Sequence, residues 1–210
     1  DTDMDSLTIA NDATVTMTGT QYAAFSETIT AGGTGEGITL STDTVAIGTA
    51  HAAIETYTTA NGTNSITLSA VGQNVTGGTG NDTVSVAGLT ATGTLALSTG
   101  TDVLIATDGA DISGINSGAV TTAETLNIST AAAIGITMTE AQYDAFVTGT
   151  ITADSDNDTI TIAAGDIVSI ATDTGIGAYV IGEDSSDVLT VTVGATDNVN
   201  ITSASTTDVI

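Results

Sequence analysis

No lysine and no arginine occur anywhere in this chain, and against 25 Asp and Glu that absence sets a formal net charge of −25. Such a charge repels phosphate and anionic lipid, so nucleic acid and acidic membrane surfaces are not expected as partners. It also leaves every carboxylate without a basic side chain to pair with. Two carboxylates about 5 Å apart repel by roughly 1–3 kcal/mol at effective dielectrics of about 80 down to 20. The fold must space its acids out, bind cations or live in high salt. Cysteine is absent too, which removes disulfides, thiol catalysis and zinc–thiolate sites. Proline is absent, so nothing of that kind interrupts a β-ladder. No apolar run approaches the roughly 18 residues that span a bilayer, and membrane insertion is not expected.

The catalytic repertoire is equally thin. His51 is the single imidazole, set in the Ala-rich stretch Thr49–Ala53, and its position there points to packing or surface exposure. No G-x-S-x-G turn is present for a Ser–His–Asp triad. Asp and Glu could in principle form a glycosidase pair, but they are scattered and no single pair stands out. Polysaccharide lyases of solenoid form enlist Arg or Lys, which this chain lacks. The expectation is a protein without enzymatic activity.

What is there is regular. Charged residues make up only 12% of the chain and mean hydropathy is +0.31, a composition unlike that of a disordered acidic tail. Thr16-Met17-Thr18, Gln21-Tyr22 and Ala24-Phe25 recur as Thr137-Met138-Thr139, Gln142-Tyr143 and Ala145-Phe146, an offset of 121. Thr28-Ile29-Thr30-Ala31 recurs as Thr150-Ile151-Thr152-Ala153, and Tyr57 as Tyr179, an offset of 122. The chain reads as one module over residues 1–120 and a second, incomplete one over 121–210. Its start at Asp1, without an initiator Met or a basic leader, reads as a mature or excised piece of something longer.

Within the module a shorter unit repeats: an acid or Asn followed by alternating apolar and small polar residues. It opens at Asp5, Glu36, Asn64, Asp82, Asp102 and Glu124, and again at Asp158, Asp187 and Asp208. Alternation of this kind, rich in Val, Ile and Thr, predicts β-strands. The 24 Gly supply tight turns. Thr18 to Gln21 and Thr139 to Gln142 have capping-box spacing with Tyr and Phe behind, so each predicts one short helix per module. Residues 50–57 are a candidate for a further helical turn. Gaps of 18 to 34 residues between openers point to an all-β fold, a parallel β-solenoid whose coils stack about 4.8 Å apart. Tandem Ig-like β-sandwiches are the alternative, disfavoured by the scarcity of aromatics: four Tyr, two Phe and no Trp.

The residues Gly77-Gly78-Thr79-Gly80-Asn81-Asp82-Thr83-Val84-Ser85 fill every fixed position of the nonapeptide G-G-x-G-x-D-x-U-x. Here the chain resembles the RTX β-roll family of secreted bacterial proteins. The resemblance implies Asp82 as a Ca²⁺ ligand and Val84 as an inward-facing side chain. Partial versions run through Asp102, through Asp156 and Asp158, and through Asp187. Asp154, Asp156 and Asp158 form one acidic cluster, and Glu183, Asp184 and Asp187 another, where neighbouring carboxylates call for a cation such as Ca²⁺. Capping of turns through backbone N–H groups is the other role open to each Asp.

The wider module resembles the tandem repeats of very large bacterial surface proteins, adhesin-like and S-layer-like. That resemblance implies a secreted, cell-surface location and self-association into a stalk, filament or layer. The alternative function is an ice- or glycan-binding module, for which Thr14-Val15-Thr16-Met17-Thr18 and Thr190-Val191-Thr192 are the candidate faces.

Overall fold

The computed structural model describes residues 6–25, 28–42, 45–115, 122–128, 134–147, 150–153, 158–163, 170–171, 175–182, 191–192 and 200–203. They form a parallel β-solenoid of about seven turns. Every strand pair among them is parallel, which excludes the antiparallel sandwich. In chain order the strands are β1 (Leu7–Ile9), β2 (Thr14–Met17), β3 (Ile29–Ala31), β4 (Gly37–Leu40), β5 (Ala46–Thr49), β6 (Thr56–Thr58), β7 (Ser65–Thr67), β8 (Asn74–Thr76), β9 (Thr83–Ser85) and β10 (Leu95–Ala96). They continue as β11 (Val103–Ile105), β12 (Thr125–Asn127), β13 (Gly135–Met138), β14 (Thr150–Thr152), β15 (Asp158–Ile162), β16 (Ile170–Ala171), β17 (Ile176–Ile181), β18 (Val191–Thr192) and β19 (Asn200–Ser203). Two short helices interrupt them, α1 (Gly19–Phe25) and α2 (Glu140–Val147).

Successive strands alternate between faces, except that β11 and β12 are neighbours on one face. One face carries β2, β4, β6, β8 and β10; another carries β5, β7, β9, β11, β12 and β14; a third run joins β13, β15, β17 and β19. Because side chains alternate along a strand, one residue per short strand points inward and stacks on its counterpart in the next coil. Ile66, Val84, Leu104, Leu126 and Ile151 form such a column, in register and at most 6% exposed. Val84 therefore does face inward.

The register corrects the expected coil length. Paired residues are 18 apart at the tightest (Ile66 with Val84) and 26 apart at the widest (Asp111 with Thr137). The sequence gaps of up to 34 arose because Glu36 and Asp158 open strands on other sheets than the one that Asn64, Asp82, Asp102 and Glu124 open onto. They do not mark whole coils. The predicted helical turn over 50–57 is also absent: that stretch is a turn followed by β6, whose Tyr57 points into the core. The predicted capping boxes are formed. The Thr18 N–H donates to Gln21 Oε1 at 2.8 Å and the Gln21 N–H to Thr18 Oγ1 at 3.2 Å. The same two distances recur at Thr139 and Gln142.

The repeat is visible in the core as well. The Tyr22 and Tyr57 rings meet edge-on, 5.9 Å apart, with their hydroxyls 3.1 Å from each other. Tyr143 and Tyr179 reproduce this at 5.8 Å and 3.1 Å. All four rings are at most 1% exposed. The Tyr57 hydroxyl also receives the His51 N–H at 2.7 Å, and burial, reinforced by the Tyr22 hydroxyl, pushes its pKa far above the usual phenol value. His51 thus helps to close a turn, with its Nδ1 accepting the Ala53 N–H. One sheet joins β11 of the first module to β12 and β14 of the second, so the described residues of both modules share one stack. Tyr57→Phe removes the nearer acceptor of the His51 N–H and leaves it the Tyr22 hydroxyl at 3.1 Å, so it is expected to lower stability by about 0.5–1.5 kcal/mol in urea unfolding, with the tyrosine fluorescence transition shifting as one step.

Candidate functional site

Before three strands of the six-stranded face the preceding residue is polar and buried. Asn64, Asp82 and Asp102 precede β7, β9 and β11 and are 3%, 3% and 0% exposed. Each reaches back to the coil before it. The Val45 N–H donates to Asn64 Oδ1 at 3.0 Å, the Asn64 N–H to Asp82 Oδ1 at 3.0 Å, and the Asp82 N–H to Asp102 Oδ1 at 2.7 Å. The ladder ends at Glu124, whose Oε2 accepts the Asp102 N–H at 2.7 Å. The same device appears elsewhere, where the Glu36 N–H donates to Glu55 Oε2 and the Ile134 N–H to Asp158 Oδ1, both at 2.9 Å. The turns between coils leave amides that no strand can pair, and a buried amide without an acceptor costs about 1–3 kcal/mol. These carboxyl and amide oxygens supply the acceptor.

The glycines of the nonapeptide make room for this arrangement. A Cβ on Gly77 would fall against Asp82 Oδ2 and the Leu97 backbone. Gly80 adopts φ of +126° and lies where a Cβ would approach the Gly62 carbonyl oxygen of the preceding coil. Their role is close coil-to-coil approach.

The second oxygens of the ladder acids have a different environment. Asp82 Oδ2 and Asp102 Oδ2 are buried with no hydrogen-bond partner. Burial raises the pKa of both carboxyls; for Asp82 the Asn64 amides oppose it, and for Asp102 the Asp82 N–H opposes it while Glu124 and Asp82 reinforce it. Beside Asp82 lies a cavity of about 10 Å³ lined by Thr59, Asn64, Ile66, Val75 and Leu97. It is about the size of one water molecule. A Ca²⁺ ion takes six to eight oxygens at 2.3–2.6 Å, and this mainly aliphatic lining does not offer such a shell. Among the described residues no group of three or more Asp, Glu or His stands close enough to hold a metal ion.

The structure thus brings Asp82 and Asp102 together in one ladder and places Asp158 in an equivalent ladder at another strand start. Asp154, Asp156, Asp184 and Asp187, with Glu183, lie outside the described residues. Asn64 and Glu124, named in the sequence only as strand openers, are the further members of the ladder. Their place at the same step of the same unit as Asp82 was the signal. Comparison with family models, curated proteins and solved structures found no match for the chain. No helix among the described residues is long and apolar enough to cross a membrane.

The ladder acids give stability a definite pH dependence. Below their ordinary value of 3.8 both carboxyls are neutral in the folded and unfolded chain. As pH rises past that value the unfolded chain releases protons first, so the contribution of these two groups to stability falls until the folded carboxyls have also titrated. Asp102→Asn keeps an oxygen for the Asp82 N–H and removes the buried acid. It is expected to lessen the fall of the urea midpoint as pH rises above the ordinary carboxylate value, with Asp82 supplying what remains, whereas Asp102→Ala orphans that N–H and lowers stability by about 1–3 kcal/mol at every pH.

Proposed function

We propose that this chain is a non-catalytic structural repeat of an extracellular, self-associating bacterial surface protein, of the filament, S-layer or adhesin-stalk kind. One observation carries the reading. The contact between the first module and the second is the same parallel coil stacking that holds each module together, as β11, β12 and β14 show. A repeat whose junction repeats its interior extends by adding coils end on, without a separate interface. The charge of −25 with no basic side chain makes dissolved cations, Ca²⁺ among them, the counter-ions of such an array. The purified protein viewed by electron microscopy with and without millimolar Ca²⁺ is expected to show elongated, end-joined particles. Isolated particles one chain long under both conditions would remove the basis for this reading.

A second reading has an observation of its own. Despite unequal coil lengths, Thr16, Thr39, Thr58 and Thr76 stand in register on one sheet, none of them in the core. A row of hydroxyls at the inter-strand spacing of about 4.8 Å is a surface for ordered water or a glycan. Thr190 lies outside the described residues. Thermal hysteresis at micromolar protein, lost in Thr39→Val with Thr58→Val, is the expected sign of ice binding.

A further inference from the structure

Three glutamines are built into this solenoid in the same way, and the amide nitrogen of one of them meets no carbonyl among the described residues. Gln73 Oε1 accepts the Ser69 and Ala70 N–H groups, while its Nε2 donates to the His51 and Ile54 carbonyls of the preceding coil at 3.0 and 2.9 Å. Gln142 Oε1 accepts the Thr139 N–H, while its Nε2 donates to the Ile112 and Ile115 carbonyls at 2.7 and 2.8 Å. In both cases the amide clasps two carbonyls three residues apart, and the side chains are 2% and 0% exposed. Gln21 is the counterpart of Gln142 in the first module. Its Oε1 is engaged identically by the Thr18 N–H, yet the side chain is exposed and its Nε2 meets no acceptor among the described residues.

The strands around Gln21 tell the same story. β2 ends the five-stranded sheet and β1 ends its two-stranded one. Their counterparts β13 and β12 are covered by the coil from Asp102 to Ile115. There the Thr125 N–H donates to the Asp102 carbonyl at 3.1 Å, the Thr137 N–H to the Ala110 carbonyl at 2.8 Å, and the Ile112 N–H to the Thr137 carbonyl at 2.8 Å. The matching groups of the first module are the Ser6 N–H and both backbone groups of Thr16. They face away from the neighbouring coil, since β4 is bonded through the Ala13 and Met17 carbonyls. Burial differs accordingly: Leu126 and Ile136 are 0% and 1% exposed, whereas Leu7 and Val15 are only half-buried.

We propose that the outer edge of β1, α1 and β2 is a docking surface for a coil of the Asp102–Ile115 kind, presented by another copy of the same module. Gln21 clasps its two turn carbonyls. The occupant is identified by the junction already present in the chain, which shows the same edge, the same helix and the same glutamine in their covered state. The proposal rests on the array reading and adds to it a face, a register and a clamp.

The test adds one further copy of residues 1–120 ahead of the full chain and follows amide hydrogen exchange in the downstream copy. The Ser6 and Thr16 amides there are expected to exchange at least about tenfold more slowly than in the single chain. Gln21→Glu in the downstream copy keeps the oxygen that caps α1 but turns the donor into an acceptor, so it is expected to abolish that protection. In the single chain the same substitution leaves the urea midpoint unchanged, while Gln142→Glu lowers it. Unchanged exchange at Ser6 and Thr16 in the tandem chain overturns the proposal. If particles nonetheless join end to end under the microscope, the array reading stands and only this surface is wrong; if they do not, both fall.

Discussion

The stacking of parallel coils is the interaction on which everything else in this molecule depends. Strands of two to six residues are too short to be stable singly, and each gains its hydrogen bonds only from the coil on either side. The same step of one coil decides what the interior can contain. Apolar columns such as Ile66, Val84, Leu104 and Leu126 are continuous because register places like on like. Polar columns must be continuous for the same reason. The Asn64, Asp82, Asp102 and Glu124 ladder works because each member accepts an amide from the coil before it.

That arrangement explains how a chain without a single base tolerates buried acids. The buried carboxyls of Asp82 and Asp102 are stabilised by backbone N–H groups, with the Asn64 side-chain amide added at Asp82, rather than by a counter-charge, and the Oδ2 of each has no partner. The raised pKa of Asp82 and Asp102 is the consequence: burial outweighs one or two amide bonds. Other acids, Asp12, Asp108 and Asp144 among them, lie on the exposed surface, where solvent and salt screen their mutual repulsion, whereas Glu36 and Asp158 are buried.

The module is a device for repeating the same junction. Its long coil carries a helix that a glutamine caps and that packs beside a tyrosine pair. Both features recur with nearly identical geometry in the second copy. Geometry that recurs to within about 0.1 Å in two different sequence contexts comes from the module itself. The difference between the copies is one of surroundings: Gln142 is covered by a preceding coil and Gln21 is not.

Much of this was determined by the sequence alone. Period-two alternation after Asp, Asn or Glu located β1, β4, β7, β9, β11, β12 and β15, because a strand half-buried on one side must alternate. The Thr-to-Gln spacing located both helices through their caps, which are purely local hydrogen bonds. What only the tertiary structure decided is everything that crosses between coils. Sequence spacing could not say that Glu36 and Asn64 stand on different faces, and so it overstated the coil length. It showed Asp82 and Asp102 as turn residues, but the amides they cap are about 20 residues distant in the chain, at Asn64 and Asp82. Nor could it show that Gln21 and Gln142, identical in local sequence, differ in whether their amides find carbonyls. Local propensity is written in neighbouring residues, whereas register between coils is fixed by the sum of the turns that separate them.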